Sequence, residues 1–235
     1  MKLSLSQLRA IWSGKSGLTL DAADYTRIDE SAAAVTRALA TGAALYGINT
    51  GFGKLASKRI DATQLQQLQR NLVLSHAVGV GPELSERVVR LAMAIKIVTL
   101  AAGRSGVRRI VVDTLGKLLA ANALPVIPGQ GSVGASGDLA PLAHMSCAVI
   151  GEGDVRMGGE KIAARDALRR IGAEPVTLGP KEGLALLNGT QISTALALDA
   201  LFRTQDVFEA ALISGAMSTD AMKGTDAPFD ERIHI

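Results

Sequence analysis

The sequence of 235 residues has little of three things: cysteine, aromatic side chains and long apolar runs. Cys147 is the single cysteine, which excludes an intrachain disulfide and favours a reducing, cytoplasmic location. Aromatic residues make up only 3%, so an aromatic-rich sandwich is disfavoured against helices packed through small residues. The most apolar stretch, residues 91–103, carries Lys96 at its centre and is too short to span a bilayer.

The overall composition is that of a folded chain with little charge bias. Hydrophobic residues make up 48% and charged residues 20%, which excludes disorder as the dominant state. The net charge is +3 and no basic cluster has interleaved aromatics, so we expect no nucleic-acid partner. Residues 1–9 lack the unbroken apolar core of a signal peptide, and we therefore expect a soluble protein without a membrane partner.

Apolar residues recur with helical rather than alternating spacing, which predicts a mainly α fold. Within the helix over 88–98, Lys96 is expected mostly off the apolar face. Strand signals are few, and two short runs around Gly158 and Gly159 predict a small β-ribbon. These runs are 154–157 and 175–178. The predicted helices span residues 31–41, 64–76, 88–98, 107–119 and 191–216.

Two glycine-rich stretches, 46–53 and 129–138, interrupt the helical pattern. The second contains a G-x-G-x-x-G match at 129–134, which is the fingerprint of a dinucleotide-binding loop. Pro125 and Pro128 precede it, and a central parallel strand would not tolerate them. Predicted helices also flank it in place of βαβ units, so a nucleotide site is disfavoured.

The tetrapeptide Ala135-Ser136-Gly137-Asp138 has a structural and a chemical interpretation. Ser136 or Asp138 is predicted to cap a helix that begins near residue 139. Alternatively, a tight turn brings the Gly137 amide nitrogen onto the Ala135 carbonyl carbon and closes a five-membered ring. Loss of water from that closure and from Ser136 would leave an exocyclic methylidene, which is an electrophile that no ordinary side chain provides.

The run Gly131 to His144, GSVGASGDLAPLAH, resembles the signature of the aromatic amino acid ammonia-lyases and aminomutases. Residues 46–53, 182–190 and 227–234 resemble the same family, so the likeness covers essentially the whole chain. It implies an autocatalytic prosthetic group, 4-methylidene-imidazol-5-one (MIO), and no external cofactor. The residues that would form it are Ala135, Ser136 and Gly137, with Asp138 assisting.

The resemblance also implies an architecture. It predicts a fumarase/aspartase-like fold in which residues 1–188 form an N-terminal MIO-bearing domain and residues 189–235 begin a central helical bundle. Family members are about twice this length, so we expect the chain to represent an N-terminal half. The family forms homotetramers with active sites assembled from several subunits. We therefore expect a homo-oligomer, and little or no activity from this chain alone.

Three further residues acquire roles through the resemblance. Tyr46 would be the base that takes the β-proton, and Asn188 would donate hydrogen bonds to the ring or the substrate. His76 would bind the substrate ring, because the order Ser75-His76 resembles the histidine-specific members. That pattern implies deamination of L-histidine to trans-urocanate and ammonia, the first step of histidine degradation.

Other interpretations stay open from the residues themselves. His76 lies on an apolar helical face as a core histidine would, Tyr46 is compatible with packing, and Asn188 with capping a helix near residue 190. His144 and Cys147 lie three residues apart without further ligands, so we expect structural roles and no metal. The alternative functions are a phenylalanine or tyrosine ammonia-lyase or aminomutase, and a non-catalytic fragment that only associates with partners.

Overall fold

The computed structural model describes residues 2–51, 60–233 and 235. Phe52 and Gly53 of the first glycine-rich stretch lie outside the described residues, as does His234. The chain divides into two units, Met1–Leu196 and Ala197–Ile235. Within the described ranges, no helix combines the length and the apolar character needed to cross a membrane.

Helices form most of the described chain, which confirms the mainly α prediction. One turn of 3₁₀ helix at Ala62–Gln64 leads into α3, and two more follow α9 at Ala227–Phe229 and Glu231–Ile233. The α-helices are α1 (Leu5–Trp12), α2 (Ala22–Ala40), α3 (Leu65–His76), α4 (Glu86–Ala101), α5 (Arg109–Ala120), α6 (Leu139–Val149), α7 (Ala164–Arg170), α8 (Glu182–Leu187) and α9 (Gln191–Ala221).

Helix α2 begins nine residues before the predicted range of 31–41, at Ala22. Asp21 and Asp24 cap it reciprocally: the Asp24 amide donates to Asp21 Oδ1 at 2.7 Å, and the Asp21 amide donates to Asp24 Oδ2 at 3.1 Å. These bonds satisfy amides that a helix start otherwise leaves without partners. Apolar periodicity missed this segment because its first turns are held by polar caps.

Helix α4 is surrounded on several sides, by α1, α2 and α5. Its residues 91–94 are completely buried, and Lys96 is only 1% exposed. The prediction that Lys96 lies mostly off the apolar face is therefore wrong. A helix packed against neighbours on several sides has no solvent face at its centre, so even a lysine there is buried.

In the part of the chain that the structure describes, the strands are short and pair antiparallel in two small sheets. One sheet pairs β1 (Val80–Glu83) with β3 (Pro128–Gln130). The other has the order β2 (Leu124–Pro125), β4 (Asp154–Met157) and β5 (Glu160–Ala163). Residues 129 and 130 of the glycine fingerprint thus belong to an antiparallel ribbon, unlike the strand of a βαβ nucleotide site.

The ribbon predicted around Gly158 and Gly159 is confirmed in its first half. Strands β4 and β5 form a hairpin in which Asp154 faces Ala163, and both glycines of its turn have positive φ, as the tightest hairpin turns require. The second predicted strand, 175–178, is wrong: this segment is irregular. The Val176 amide donates there to the Val149 carbonyl at 3.0 Å, and the Val176 side chain is buried.

Candidate active site

The signature tripeptide lies in a tight, exposed bend, the motif turn, which comprises residues 134–137. Gly134, Ser136 and Gly137 all have positive φ, of 69°, 62° and 112°. For Ser136 this left-handed conformation costs about 1–2 kcal/mol, because its Cβ approaches the following carbonyl oxygen. The turn therefore folds the tripeptide back on itself at an energetic cost, a feature that clusters at functional sites.

Gly137 is packed against the main chain of Gly189, with which it forms a parallel β-bridge. A Cβ placed on Gly137 would lie 2.4 Å from the Gly189 carbonyl oxygen. The amide of the next residue, Asp138, donates to that same oxygen at 2.8 Å. Only glycine fits at position 137, both for its φ and for this close approach.

The Asp138 carboxylate is 1% exposed and accepts three hydrogen bonds. Ser132 Oγ donates to Oδ1 at 2.8 Å, Ser193 Oγ donates to the same oxygen at 2.6 Å, and the Ser193 amide donates to Oδ2 at 2.8 Å. Asp138 occupies the N-cap position of α6, but its side chain makes no cap hydrogen bond there. The predicted side-chain cap is therefore wrong, because the carboxylate links the motif turn to the start of α9 instead.

Asn188 ends α8 next to the motif turn instead of capping α9, which begins at Gln191. Its amide donates to the Leu184 carbonyl at 3.0 Å, and its side chain is exposed. Its own carbonyl oxygen accepts a hydrogen bond from Lys96 Nζ at 2.8 Å. The structure thus brings Asn188 beside the tripeptide through the bridge between Gly189 and Gly137.

His76 is the last residue of α3, and its ring is partly exposed. Its Nδ1 lies 2.8 Å from the Leu72 carbonyl oxygen, which can only accept, so we assign the proton to Nδ1. Nε2 is then the acceptor nitrogen of the ring. As in a core histidine, one ring nitrogen of His76 is hydrogen-bonded, here to its own helix. Unlike a core histidine, the ring retains contact with solvent.

The segment after His76 contacts the start of the signature run. A Cβ on Gly131 would lie 3.1 Å from the Gly79 Cα, so the two backbones nearly touch. His144 of α6 accepts a hydrogen bond from the Gly79 amide on Nε2 at 3.0 Å. Burial lowers the pKa of His144, which favours the neutral ring that this bond needs. His144 thus has a structural contact that aligns α3 with the signature.

Tyr46 lies in an exposed turn, with 58% of its surface accessible. Asn49 organises this loop from a buried position: Oδ1 accepts from the Leu45 amide at 2.7 Å, and Nδ2 donates to the Ala43 carbonyl at 2.8 Å. The contacts described above do not join Tyr46 to the motif turn. Its role as a base stays a prediction.

Cys147 is buried, and burial raises the pKa of its thiol to about 11, so it is a poor source of thiolate. Over residues 2–51, 60–233 and 235, no group of three or more His, Cys, Asp and Glu side chains is arranged to hold a metal ion.

A model of the aromatic amino acid lyase family matches residues 3–235. The chain belongs to the aromatic amino acid lyase family. Two curated relatives, both named histidine ammonia-lyase, are 54% identical (Paracidovorax citrulli strain AAC00-1) and 56% identical (Burkholderia mallei strain NCTC 10229). Each match covers 99% of this chain and 46% of the relative. This lyase-family chain thus spans about half the length of the curated relatives it matches.

Solved structures show the same fold. Histidine ammonia-lyase from Trypanosoma cruzi superposes with a TM-score of 0.90 at 35% identity, over 99% of this chain and 45% of that one. Phenylalanine aminomutase from Pantoea agglomerans reaches the same TM-score at 28% identity, over 100% and 45% of the two chains. The expected ammonia-lyase fold is confirmed for the part of it that these residues cover.

Sequence reasoning missed several residues that build this lyase-family site. Ser193 lies 55 positions from Asp138 and carries no local signal. Lys96 did carry one, a charge at the centre of an apolar stretch, and its burial against Asn188 explains that position. Gly189 was part of a recognised stretch, but its contact with Gly137 depends on tertiary packing.

Proposed function

We propose that these residues belong to a histidine ammonia-lyase, which deaminates L-histidine non-oxidatively to trans-urocanate and ammonia. The names and identities of the two curated relatives support this substrate. The observation that carries the chemistry is the strained motif turn, with Ser136 at φ 62° and Gly137 at φ 112°. Because the chain covers 46% of those relatives, we expect it to have little or no activity by itself.

We propose that the motif turn matures into MIO. The Gly137 nitrogen attacks the Ala135 carbonyl carbon and a C–N bond forms. The carbonyl oxygen leaves as water with the N–H hydrogens of Gly137 and Ser136, and a C=N bond forms between the Ala135 carbon and the Ser136 nitrogen. Ser136 loses its Cα proton and its side-chain hydroxyl as a second water, which creates the exocyclic double bond. The left-handed bend suits this closure because it folds the tripeptide tightly, and Asp138 lies next to it as the assisting acid.

We propose distinct roles for the surrounding side chains. MIO supplies an electrophile that activates the amino acid for loss of ammonia. Tyr46 would accept the β-proton, and the exposed Asn188 amide would donate hydrogen bonds to polar groups in the site. His76 would accept the N–H of the substrate imidazole on Nε2, because its Nδ1 proton already bonds to Leu72.

The maturation proposal is tested on this chain by intact mass and near-ultraviolet absorbance, with Ser136→Ala as the blocked variant. Ser16→Ala removes another exposed serine and is the matched control. The parent chain and the control should both be lighter than their encoded masses by two water molecules and share an absorbance that Ser136→Ala lacks. Encoded masses and identical spectra for all three proteins would contradict MIO formation.

Substrate choice is tested by joining this chain to the remaining part of the Paracidovorax citrulli relative, with the chain alone as the control. We expect urocanate from L-histidine and loss of that activity in His76→Leu. Turnover of phenylalanine or tyrosine without histidine would favour the alternative lyase or aminomutase. That alternative has a specific basis, since the fold matches an aminomutase as closely as a histidine ammonia-lyase.

We also propose a homo-oligomer, a homotetramer as in the family, with residues 189–235 beginning the helical bundle. Large apolar side chains of α9 support association, because burying them would remove considerable apolar surface from water. Light scattering after size-exclusion chromatography tests this, and a strictly monomeric chain at micromolar concentration would contradict it. The exposed apolar side chains of α9 that we expect to be buried on association are 59–70% exposed in this chain: Val207, Phe208, Leu212, Ile213 and Met217.

A further inference from the structure

Lys96 is a buried lysine whose charged end meets the end of another helix. Its Nζ donates to the carbonyl oxygens of Ala185 and Asn188, both at 2.8 Å. These carbonyls belong to the last turn of α8 and its C-cap residue. Helix C-termini leave such carbonyls without intrahelical partners and carry a partial negative charge, so a lysine there is well matched.

Helix α8 depends on side chains from other elements for its position. It has six residues, too few to be stable in isolation. At its start, Glu182 binds the Arg108 guanidinium at 2.7 Å, and Gln69 Oε1 accepts from the Gly183 amide at 2.9 Å. At its end, the two Lys96 hydrogen bonds hold the turn that carries Asn188.

The end of α8 is also the part that meets the motif turn. Gly189 directly follows Asn188, and its carbonyl oxygen accepts the Asp138 amide at 2.8 Å. There is no room for a Cβ at Gly137 beside that carbonyl. Because the two main chains are in direct contact, a shift of Asn188 and Gly189 would move the tripeptide as well.

Burying a lysine is costly, and an apolar residue of similar size would fill the same space more cheaply. Either protonation state of Lys96 can nevertheless serve both carbonyls, since a neutral amine retains two N–H donors. An apolar side chain could fill this buried space, but it could not donate hydrogen bonds to the carbonyl oxygens of Ala185 and Asn188, which need partners when buried. The placement of this costly group beside the site points to a role in the site.

We propose that Lys96 is a positioning residue, which holds Asn188 and Gly189 against the motif turn through the carbonyl oxygens of Ala185 and Asn188. The role in maturation rests on the proposed function, while the positioning itself is a property of the fold. Lys96 acts through these main-chain groups and not on the reacting atoms. Its removal should therefore affect the site more than the stability of the chain.

The test compares the parent chain with Lys96→Met, which keeps the volume and removes the donors. We expect the Asp138 amide hydrogen to exchange about tenfold faster in Lys96→Met. The amide loses protection because its hydrogen bond to the Gly189 carbonyl opens more often. The rate of two-water loss, followed by intact mass after expression, should fall by a similar factor. Urea unfolding gives the change in overall stability of Lys96→Met. Asp138 exchange that rises by more than this change accounts for would locate the effect at the bond to Gly189, which a merely structural lysine does not predict.

Two controls separate positioning from other effects. Lys117→Met removes an exposed lysine from α5 and should change neither the Asp138 exchange nor the maturation rate. Glu182→Gln weakens the far end of α8 and should lower stability. Its folded fraction should mature faster than that of Lys96→Met, because Asn188 and Gly189 lie at the other end of the helix. If Lys96→Met does not fold by circular dichroism, Lys96→Gln keeps an N–H donor group and should show intermediate exchange.

The outcomes distinguish this proposal from the proposed function. Unchanged Asp138 exchange and unchanged maturation in a folded Lys96→Met chain would overturn the positioning role. Encoded masses for both the parent and Ser136→Ala would overturn the proposed function. Asp138 exchange alone would then decide whether Lys96 positions Asn188 and Gly189.

Discussion

The burial of Lys96 predicts a specific dependence of stability on pH. Burial lowers the pKa of Lys96 from its usual 10.5 to about 7 in the folded chain. Between these values the unfolded chain holds a proton that the folded chain has lost, so stability rises with pH. The slope is about 1.4 kcal/mol per pH unit, and the whole shift corresponds to about 5 kcal/mol.

Replacing Lys96 with methionine removes this dependence. Between pH 7 and pH 9, the free energy of unfolding of the parent chain should rise by about 2 kcal/mol more than that of Lys96→Met. Urea unfolding measures this, with fluorescence of the single tryptophan, Trp12, as the probe. Trp12 is 5% exposed in the folded chain, so its emission should report unfolding.

The comparison with Lys117→Met controls for the loss of a lysine as such. Lys117 is exposed, so its substitution should leave the pH profile parallel to that of the parent chain. Profiles of the parent and Lys96→Met that run parallel from pH 7 to pH 9 would refute the reasoning. They would mean that Lys96 keeps its proton in the fold or is not buried in solution.

Further substitutions and a thiol reaction test other contacts within residues 1–196. Gly137→Ala places a Cβ 2.4 Å from a carbonyl oxygen and should cost about 3 kcal/mol in urea unfolding. Gly158→Ala also has positive φ but open space, so about 1 kcal/mol is expected there, and equal losses would contradict the steric argument. Glu182→Gln breaks a buried carboxylate's pair with Arg108 and should cost about 2 kcal/mol in the same assay; an unchanged midpoint would argue against it. The Cys147 thiol, buried and with its pKa raised to about 11, should react with a disulfide reagent only as the chain unfolds, and rapid reaction in native buffer would show otherwise.

Helix prediction succeeded where the signal was local and apolar, and failed where it was polar. The helices of residues 86–101 and 109–120 follow the predicted periodicity, because one face or more of each is buried. The start of α2 depends on the reciprocal bonds of Asp21 and Asp24, which apolar spacing does not detect. The segment 175–178 has residues typical of strands but does not pair with a strand in the described structure. The strand prediction from its composition was therefore wrong.

The candidate site divides in the same way. The signature run could be identified by itself because the residues for which we propose ring closure, Ala135, Ser136 and Gly137, are consecutive. The partners of Asp138 could not, since Ser193 reaches it from a helix 55 positions away. The same holds for the placement of Asn188, which is held by Lys96 from α4.

The order of residues alone determined the helical character, several helix ends and the presence of the family signature around Ala135-Ser136-Gly137, since these depend on neighbours within a few positions. The tertiary structure decided that Lys96 is buried, that Asp138 bonds to Ser193, and that Gly137 touches Gly189. Hydrogen bonds and close contacts act over about 3 Å. They therefore depend on which distant segments pack together, and spacing along one chain does not contain that information.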